Sequence, residues 1–331
     1  MIIAVDAAGG EYAPHEIVKG AVKAAQEYKV GIALVGTTKS LVHVLTARHA
    51  KGLNLSFVEA NQVIGLHESP VKAIQSKPNS SIVVGTNLVK DGIASAFVSA
   101  GNSGAIVAAA LFRLGKIERI ERPAIGTIIN VDGHPFLLID AGANADCRPE
   151  HLVRFAQLGS IYSRNVFNIK SPRVGLLSNG EEETKGNNLI KGTHKLLVNT
   201  ELNFIGNIEG HDLAGRKADV VVTDGFTGNI VLKTMEGVGG VFQNLQKHLG
   251  TGATSSPRLQ GNLLLHLVGL DAWAKRMDYR EYGGACLLGV NGNIIIAHGR
   301  SQAKAIKNAV GLTKRIVEQE LTVKIKEDIG V

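Results

Sequence analysis

Short β-branched runs alternate with helical stripes along most of the chain, and glycine, aspartate and asparagine sit at the junctions. Residues 2–6, Ile-Ile-Ala-Val-Asp, read as a strand, and Asp6-Ala-Ala-Gly9-Gly10-Glu11-Tyr12-Ala13 reads as the loop that follows it. Ile17, Ala21, Val22 and Ala25 mark one face of a helix that Pro14 opens. The same alternation predicts strands over 31–35, 53–58, 96–99, 174–177, 203–206 and 220–223. Helices are expected after Ser40, after Ser69-Pro70, over 80–90, from the glycine pair 101–104 to Leu114, and from Pro149 to about Asn165. Two pairs of apolar runs, 125–129 with 136–140 and 286–290 with 294–297, flank Asp132-Gly133 and Asn291-Gly292. Both pairs read as hairpins, so part of the sheet is expected to be antiparallel. A helix over 301–321 closes the chain. Strands alternating with helices predict an α/β fold with a largely parallel sheet.

The rhythm breaks between Thr227 and Tyr282, where no strand pattern occurs. Two helices joined by Gly250-Thr-Gly-Ala-Thr-Ser-Ser-Pro257 are expected there. They form a helical hairpin over residues 230–282, inserted into a single unit of 1–331.

Composition narrows the class. Apolar residues make up 44% and charged residues 20%, which suits a globular chain and excludes a disordered one. The 39 glycines in 331 residues exceed the average of roughly 7%. With 8 prolines and no Gly-x-y period, they belong to turns and close backbone approaches. Cys147 and Cys286 are too few for a disulfide framework or a four-cysteine zinc site, and no His-x-x-x-His pair occurs, so neither metal nor cofactor is expected. The N-terminal segment lacks a basic region, and no run of about 18 apolar residues occurs, so a cytoplasmic protein is expected. The formal charge of +7 favours anionic partners, while 5% aromatics without an interleaved basic stripe argue against nucleic acid.

The candidate chemistry sits in five polar glycine loops, each after a predicted strand: 6–10, 100–104, 140–144, 179–187 and 224–229. Ligands of open α/β sheets bind beyond the carboxyl ends of strands, so the five loops are expected to converge on one rim. Gly101-Asn102-Ser103-Gly104 enters a helix and offers free N–H groups to an anion. Thr227-Gly228-Asn229 repeats that arrangement at another helix start. Lys185, beside Gly186 and after the acidic run Glu181-Glu182-Glu183, can hold a phosphate or an oxyanion as a point charge. Cys147 and Cys286 read as structural, as do His194 and His211. The apolar stripe of residues 261–273 is too short to span a bilayer and is followed by Lys275, Arg276 and Arg280; it reads as either a dimer or core face or an interfacial segment on an anionic membrane. The pattern G-x-G-x-x-G is absent after the first strand, Gly36-Thr-Thr-Lys39-Ser40 lacks P-loop spacing, and no G-x-S-x-G occurs.

On these residues the chain resembles the bacterial phosphate acyltransferase family of phospholipid synthesis, the acyl-carrier-protein:phosphate acyltransferases (PlsX). The resemblance runs essentially end to end. It is carried by Val5-Asp-Ala-Ala-Gly-Gly-Glu-Tyr-Ala-Pro14, Val98-Ser-Ala-Gly-Asn-Ser-Gly104, Asp140-Ala-Gly-Ala-Asn144, Gly180-Glu-Glu-Glu-Thr-Lys-Gly-Asn187, Phe204-Ile-Gly-Asn-Ile-Glu-Gly210 and Asp224-Gly-Phe-Thr-Gly-Asn229. Ala8 and Glu11 replace the family's usual Met and Asp, Ser103 replaces a frequent Thr, and His211 stands where Arg is common.

The resemblance implies a three-layer α/β/α fold like isopropylmalate dehydrogenase and phosphotransacetylase, and a homodimer. It implies transfer of a fatty acyl group from acyl-carrier protein to inorganic phosphate, giving acyl phosphate for a membrane acyltransferase that acts on glycerol 3-phosphate. The implied enzyme is cytoplasmic and peripherally membrane-associated. Lys185 and Asn229 are then the catalytic candidates. Phosphate and substrate contacts fall to Gly101, Asn102, Ser103, Gly104, Asp6, Gly9, Gly10, Asp140, Asn144, Glu183, Thr184, Gly186, Asn187, Asp224, Gly225, Thr227 and Gly228. The three aspartates either orient the lysine or cap helices. Leu263, Leu264, Leu267, Leu270 and Trp273 are the candidates for membrane contact. Three other readings stand beside this one: a phosphotransacetylase-like enzyme using acyl-CoA, a non-catalytic membrane-surface scaffold, and a dehydrogenase of related fold, which the missing dinucleotide loop disfavours.

Overall fold

The apolar runs pair into one sheet. In the computed structural model, which describes residues 1–37, 52–131, 133–251 and 282–329, these are β1 (Ile2–Asp6), β2 (Gly31–Gly36), β3 (Leu55–Glu59), β4 (Ala96–Ser99), β5 (Ala124–Val131), β6 (His134–Ile139), β7 (Val174–Leu177), β8 (Phe204–Ile208), β9 (Val220–Val222), β10 (Ala285–Leu288) and β11 (Ile294–Ile296). They lie in the order β3-β2-β1-β4-β11-β10-β5-β6-β9-β7-β8. Lys39 and the helix after Ser40, Asp132 of the hairpin turn, the distal part of the 230–282 hairpin and Leu263, Leu264, Leu267, Leu270 and Trp273 lie outside the described residues.

Both expected hairpins are present as antiparallel pairs, β5 with β6 and β10 with β11. Their effect is to reverse the sheet. β1, β2, β3, β4, β11 and β5 run one way, and β10, β6, β9, β7 and β8 run the other. The expectation that five loops share one rim is therefore corrected. The loops after β1 and β4 leave one edge, and those after β6, β9 and β7 leave the opposite edge.

Helices cover both faces. On one side lie α1 (His15–Tyr28), α5 (Pro149–Val166), α6 (Asn188–Leu197), α8 (Ala303–Glu318) and α9 (Leu321–Ile329), over a continuous core that includes Ile17, Phe155, Ile190, Ile306 and Ile325. Complete burial of side chains such as Phe155 and Ile306 contributes about 1.5–3 kcal/mol each. The expected helix over 301–321 is in fact α8 and α9, broken where Glu320 enters the left-handed region at φ 52°.

The other face carries α2 (Pro70–Ser76), α3 (Ser81–Lys90), α4 (Ser103–Arg113) and α7 (Gly225–Thr251). Here the core is split. One cluster packs α2, α3 and α4 around Phe97 and Ile106, and a second packs α7 near Ile129, Leu138 and Val221. Leu232 of α7 touches both clusters. The gap between them exposes the middle of the sheet. Among the described residues no helix is long and apolar enough to cross a membrane.

Candidate active site

The gap is a cavity of about 220 Å³, floored by Ile125, Thr127 and Ile129 of β5 together with Ala285 and Ile296. Ser103 at the start of α4 and Asn229 in the first turn of α7 stand on its wall. Strand register explains how helices that follow oppositely directed strands reach one place. Ser99 pairs with Ile296, Ile296 with Ala285, Ala285 with Thr127, and Thr127 with Leu138. The last residue of β4 is thus level with the penultimate residue of β6, across three intervening strands. The chain leaving β4 opens α4, and the chain leaving β6 supplies Ala141 and Gly142 to the same cavity.

Each side is tied by a buried aspartate. Asp6 takes a hydrogen bond from Ser99 Oγ at 2.6 Å and from Ala8 N at 3.1 Å, and Ser99 Oγ in turn accepts from Gly101 N at 3.0 Å. Burial pushes the Asp6 carboxyl upward, against the hydroxyls of Ser99 and Ser81 and the amides of Ala8 and Gly9. A Cβ at Gly9 would lie 2.3 Å from Asp6 Oδ2, so only glycine lets the two loops close. Gly10 lies against Ala100, and Glu11 N donates to Gly299 O, joining the β1 loop to the one after β11.

Asp140 does the same on the far side. It accepts from Ile125 N, Gly142 N, Ala143 N, Asn144 N and Asn144 Nδ2 at 2.8–3.2 Å. Burial raises its carboxyl, and these donors oppose the rise. Asp224 caps α7, accepting from Thr227 N and Thr227 Oγ1, both at 2.8 Å. Gly225 N donates to Asn144 O at 2.7 Å, and a Cβ at Gly228 would fall 1.9 Å from Asp140 O. Asp6 and Asp140 thus brace loops, and Asp224 caps a helix. Residues 225–229, expected as a loop, are already the first turn of α7.

Asn102 departs from its expected role. It is buried, its Oδ1 caps α4 through Ala105 N, and its amide donates to the carbonyls of Gly65, Leu66 and Glu68. Its donors are spent on backbone, which leaves Ser103 as the exposed member of that segment on the cavity wall. Gly104 packs against Pro70.

The 179–187 loop is elsewhere. It leaves β7 at the edge shared with Asp140 and Asp224, and none of its residues lines the cavity. Glu183, Thr184 and Lys185 are exposed, and the Lys185 stem lies over Gly180. Gly186, at φ +91°, turns the chain into α6, which Asn187 caps through Ile190 N. Glu181 pairs with Lys217.

One polar cluster of the cavity, Lys233, Glu236 and His298, lies outside the glycine loops. Lys233 Nζ is 2.8 Å from Glu236 Oε2 and 3.1 Å from His298 Nε2, and Glu236 Oε2 is 3.5 Å from His298 Nε2. Against the upward push of burial, the contacts with His298 and Lys233 hold Glu236 below the usual carboxylate range. One signal in the sequence points to His298: it follows β11 directly, at the carboxyl end of a strand. At the end of the cavity Asn130 donates to the Tyr282 hydroxyl.

His194 contacts Asn207 Oδ1 at 3.0 Å and Phe204 edge-on, as a satisfied side chain does. Cys147 is half-buried beside Asn144 O, and burial, with the charges of Asp140 and Asp224, pushes its thiol up to about 11. Among the described residues no group of three His, Cys, Asp or Glu side chains is placed to hold a metal ion.

Comparison with known proteins follows the same lines. The profile of a family described as fatty acid synthesis protein matches residues 1–324. The phosphate acyltransferase of Dehalococcoides mccartyi is 57% identical over 330 residues, covering 99% of this chain and 94% of its own. That of Desulforamulus reducens is 48% identical over 332 residues, covering 99% and 97%. A phosphotransacetylase structure from Streptococcus pyogenes superposes with a TM-score of 0.63 at 16% identity, covering 96% of this chain and 94% of its own. At that identity the likeness is one of fold, and it bears out the expected phosphotransacetylase-like α/β/α architecture.

The thiol environment gives a direct test. A shift from 9.0 to about 11 leaves Cys147 with about 100-fold less thiolate at neutral pH. Its alkylation by iodoacetamide at pH 7.5, followed by peptide mass spectrometry, is expected to be slower than that of free cysteine by about that factor. Alkylation at the free-thiol rate contradicts the packing described here.

Proposed function

The chain belongs to the fatty acid synthesis protein family and is an acyltransferase, and we propose that it moves a fatty acyl group from the thioester of an acyl-carrier protein to inorganic phosphate, releasing acyl phosphate for phospholipid synthesis. The observation that carries this reading is the cavity between the starts of α4 and α7, in a chain 57% identical to a phosphate acyltransferase.

The reaction asks little covalent help from the protein. A phosphate oxygen attacks the thioester carbonyl carbon, and the carbonyl electron pair moves onto oxygen. Collapse of the tetrahedral intermediate breaks the C–S bond, and the proton of the attacking hydrogen phosphate ends on the departing sulfur. The enzyme must orient the reactants, stabilise the oxyanion and exclude water. Helix starts suit an anionic nucleophile, because their N–H groups are unpaired and the helix dipole is positive there. Ser103 with the Ser103 and Gly104 amides that open α4, and Asn229 on α7, are assigned to the phosphate and the oxyanion. The apolar floor of Ile125, Ile129 and Ile296 suits an acyl chain. Asp6, Asp140 and Asp224 hold the loops that set this geometry, with Gly9, Gly101, Asn144, Gly225 and Gly228 giving the space. Lys185 is assigned a charge-stabilising role from the neighbouring edge.

The partners belong to the same proposal. The +7 charge suits an acidic carrier protein. The single catalytic unit works as a homodimer, and residues 261–273 dock it reversibly on an anionic membrane, where a glycerol-3-phosphate acyltransferase consumes the acyl phosphate. That docking predicts pelleting with anionic vesicles that weakens as salt rises. A protein that stays in the supernatant at low salt removes the membrane part.

Two measurements test the chemistry. Mass spectrometry after mixing protein, acyl-carrier protein and phosphate is expected to detect acyl phosphate without added nucleotide or metal. Turnover with acyl-CoA but none with the carrier protein overturns the donor in favour of a phosphotransacetylase-like enzyme. Lys185→Ala is expected to lower kcat by about 10²-fold, as loss of one oxyanion donor does, with folding retained because the side chain is exposed. A near-normal kcat removes Lys185 from the mechanism and leaves the charge role to the cavity wall.

A further inference from the structure

Lys233, Glu236 and His298 meet on the cavity wall from two elements, the third turn of α7 and the loop after β11. The hydrogen-bond geometry fixes what each offers. Arg300 N donates to His298 Nδ1 at 3.1 Å, so Nδ1 is an acceptor and the neutral ring carries its hydrogen on Nε2. Nε2–H and the Lys233 ammonium therefore both point to one atom, Glu236 Oε2, at 3.5 Å and 2.8 Å. The 3.1 Å between Lys233 Nζ and His298 Nε2 is then the approach of two donors that share an acceptor, not a bond between them.

Among the described residues, Lys233 and Glu236 face His298 from α7, and on its own loop the Arg300 side chain is turned toward Glu11, 3.5 Å away. A second cation on the ring would lose the Arg300 N–H bond and sit 3.1 Å from the ammonium. A neutral imidazole that keeps its Nε2–H is a hydrogen-bond donor and a poor proton source.

We infer that Lys233 is a donor for the reacting anion, the phosphate oxygens and the oxyanion that develops on the thioester carbonyl, and that Glu236, held in turn by the neutral imidazole of His298, positions it. The inference rests on the acyl-transfer reading above and adds residues to it. In the attack step the new C–O bond to phosphate forms, the carbonyl pair moves to oxygen, and the Lys233 ammonium takes that charge. In the collapse step the pair returns, the C–S bond breaks, and the phosphate proton passes to sulfur. No proton is drawn from His298 at any stage.

Four variants separate this role from a purely structural staple between α7 and the β11 loop. Initial rates of acyl phosphate formation from acyl-carrier protein and inorganic phosphate are measured together with Tm. Lys233→Met is expected to lower kcat by about 10²-fold. His298→Ala is expected to fall by a similar factor, while His298→Gln, which keeps a neutral N–H donor, stays within about tenfold of wild type. Glu236→Ala is expected to lower kcat while leaving KM for the acyl donor unchanged and Tm within a few degrees. Wild-type rates in Lys233→Met or His298→Ala overturn the inference. Equal, complete loss in His298→Gln and His298→Ala, with Tm retained, overturns the neutral-donor role and makes His298 a proton-transfer group. If His298→Ala does not fold, the comparison rests on His298→Gln and Lys233→Met. A wild-type protein that forms no acyl phosphate overturns the functional reading instead. Inorganic phosphate then still tests the Lys233 role, through binding measured by calorimetry in wild type and Lys233→Met: equal binding overturns it, and weaker binding in the variant supports it.

Discussion

The reversal of strand direction at the centre of the sheet governs the rest of the molecule. A sheet whose strands all ran one way would send every strand-to-helix turn to one edge. Here the β5–β6 and β10–β11 hairpins turn one half of the sheet over, and the register sets Ser99 of β4 level with Leu138 of β6. The helices that follow the two halves approach from opposite edges and stop short of each other on one face. The core on that face is split in consequence, while the core on the other face is continuous. The cavity is the volume that neither α4 nor α7 fills.

Such an arrangement would slacken unless the loops on each side were pinned. Asp6 and Asp140 do this by opposite means. Asp6 is held by a serine hydroxyl from the neighbouring strand, and so locks β1 to β4. Asp140 gathers main-chain amides from Ile125 and from its own loop, and so locks the start of β5 to the end of β6. A buried carboxyl without partners is costly, so each is kept only by a full set of donors. Close approach completes the lock. Gly9 and Gly228 admit backbone or carboxylate oxygen where any Cβ would collide. The three aspartates thus hold the frame, and the polar groups facing the cavity include amides, hydroxyls, an ammonium, a carboxylate and an imidazole.

Much of this frame is legible in the chain itself. Short β-branched apolar runs give the strands, and Asp132-Gly133 and Asn291-Gly292 mark the two hairpins. The expectation of one rim fails because it applies the rule for open parallel sheets without following those hairpins to their consequence, the reversed half. Asn102 misleads because a cap residue and an anion donor look alike in sequence; only the fold shows that Gly65, Leu66 and Glu68 claim its amide. Lys233 and His298 are missed for a different reason. They stand 65 positions apart, each beside apolar neighbours, and no motif joins them. Glycine loops mark where the backbone must bend, which is a local property. A polar cluster assembled across the sheet reversal is a property of register.

The charge balance of the cavity bears on what can bind and leave. Lys233 and Glu236 cancel, and a neutral His298 adds nothing, so the three groups contribute no net charge. Attraction for an anion then comes from oriented N–H groups and from helix starts, each worth roughly half an elementary charge. On the proposed reading, inorganic phosphate enters as a dianion and the product also carries a phosphate. A wall of excess lysines and arginines would hold product as firmly as nucleophile. Dipoles aimed at one point distinguish the two, because their energy falls off faster with displacement than that of a bare charge. The developing oxyanion, fixed at the carbonyl carbon, gains most from such donors, and a phosphate that has moved with its acyl chain gains less. Electrical near-neutrality on the wall of an anion site is, on this view, what allows the transition state to be favoured over both ends of the reaction.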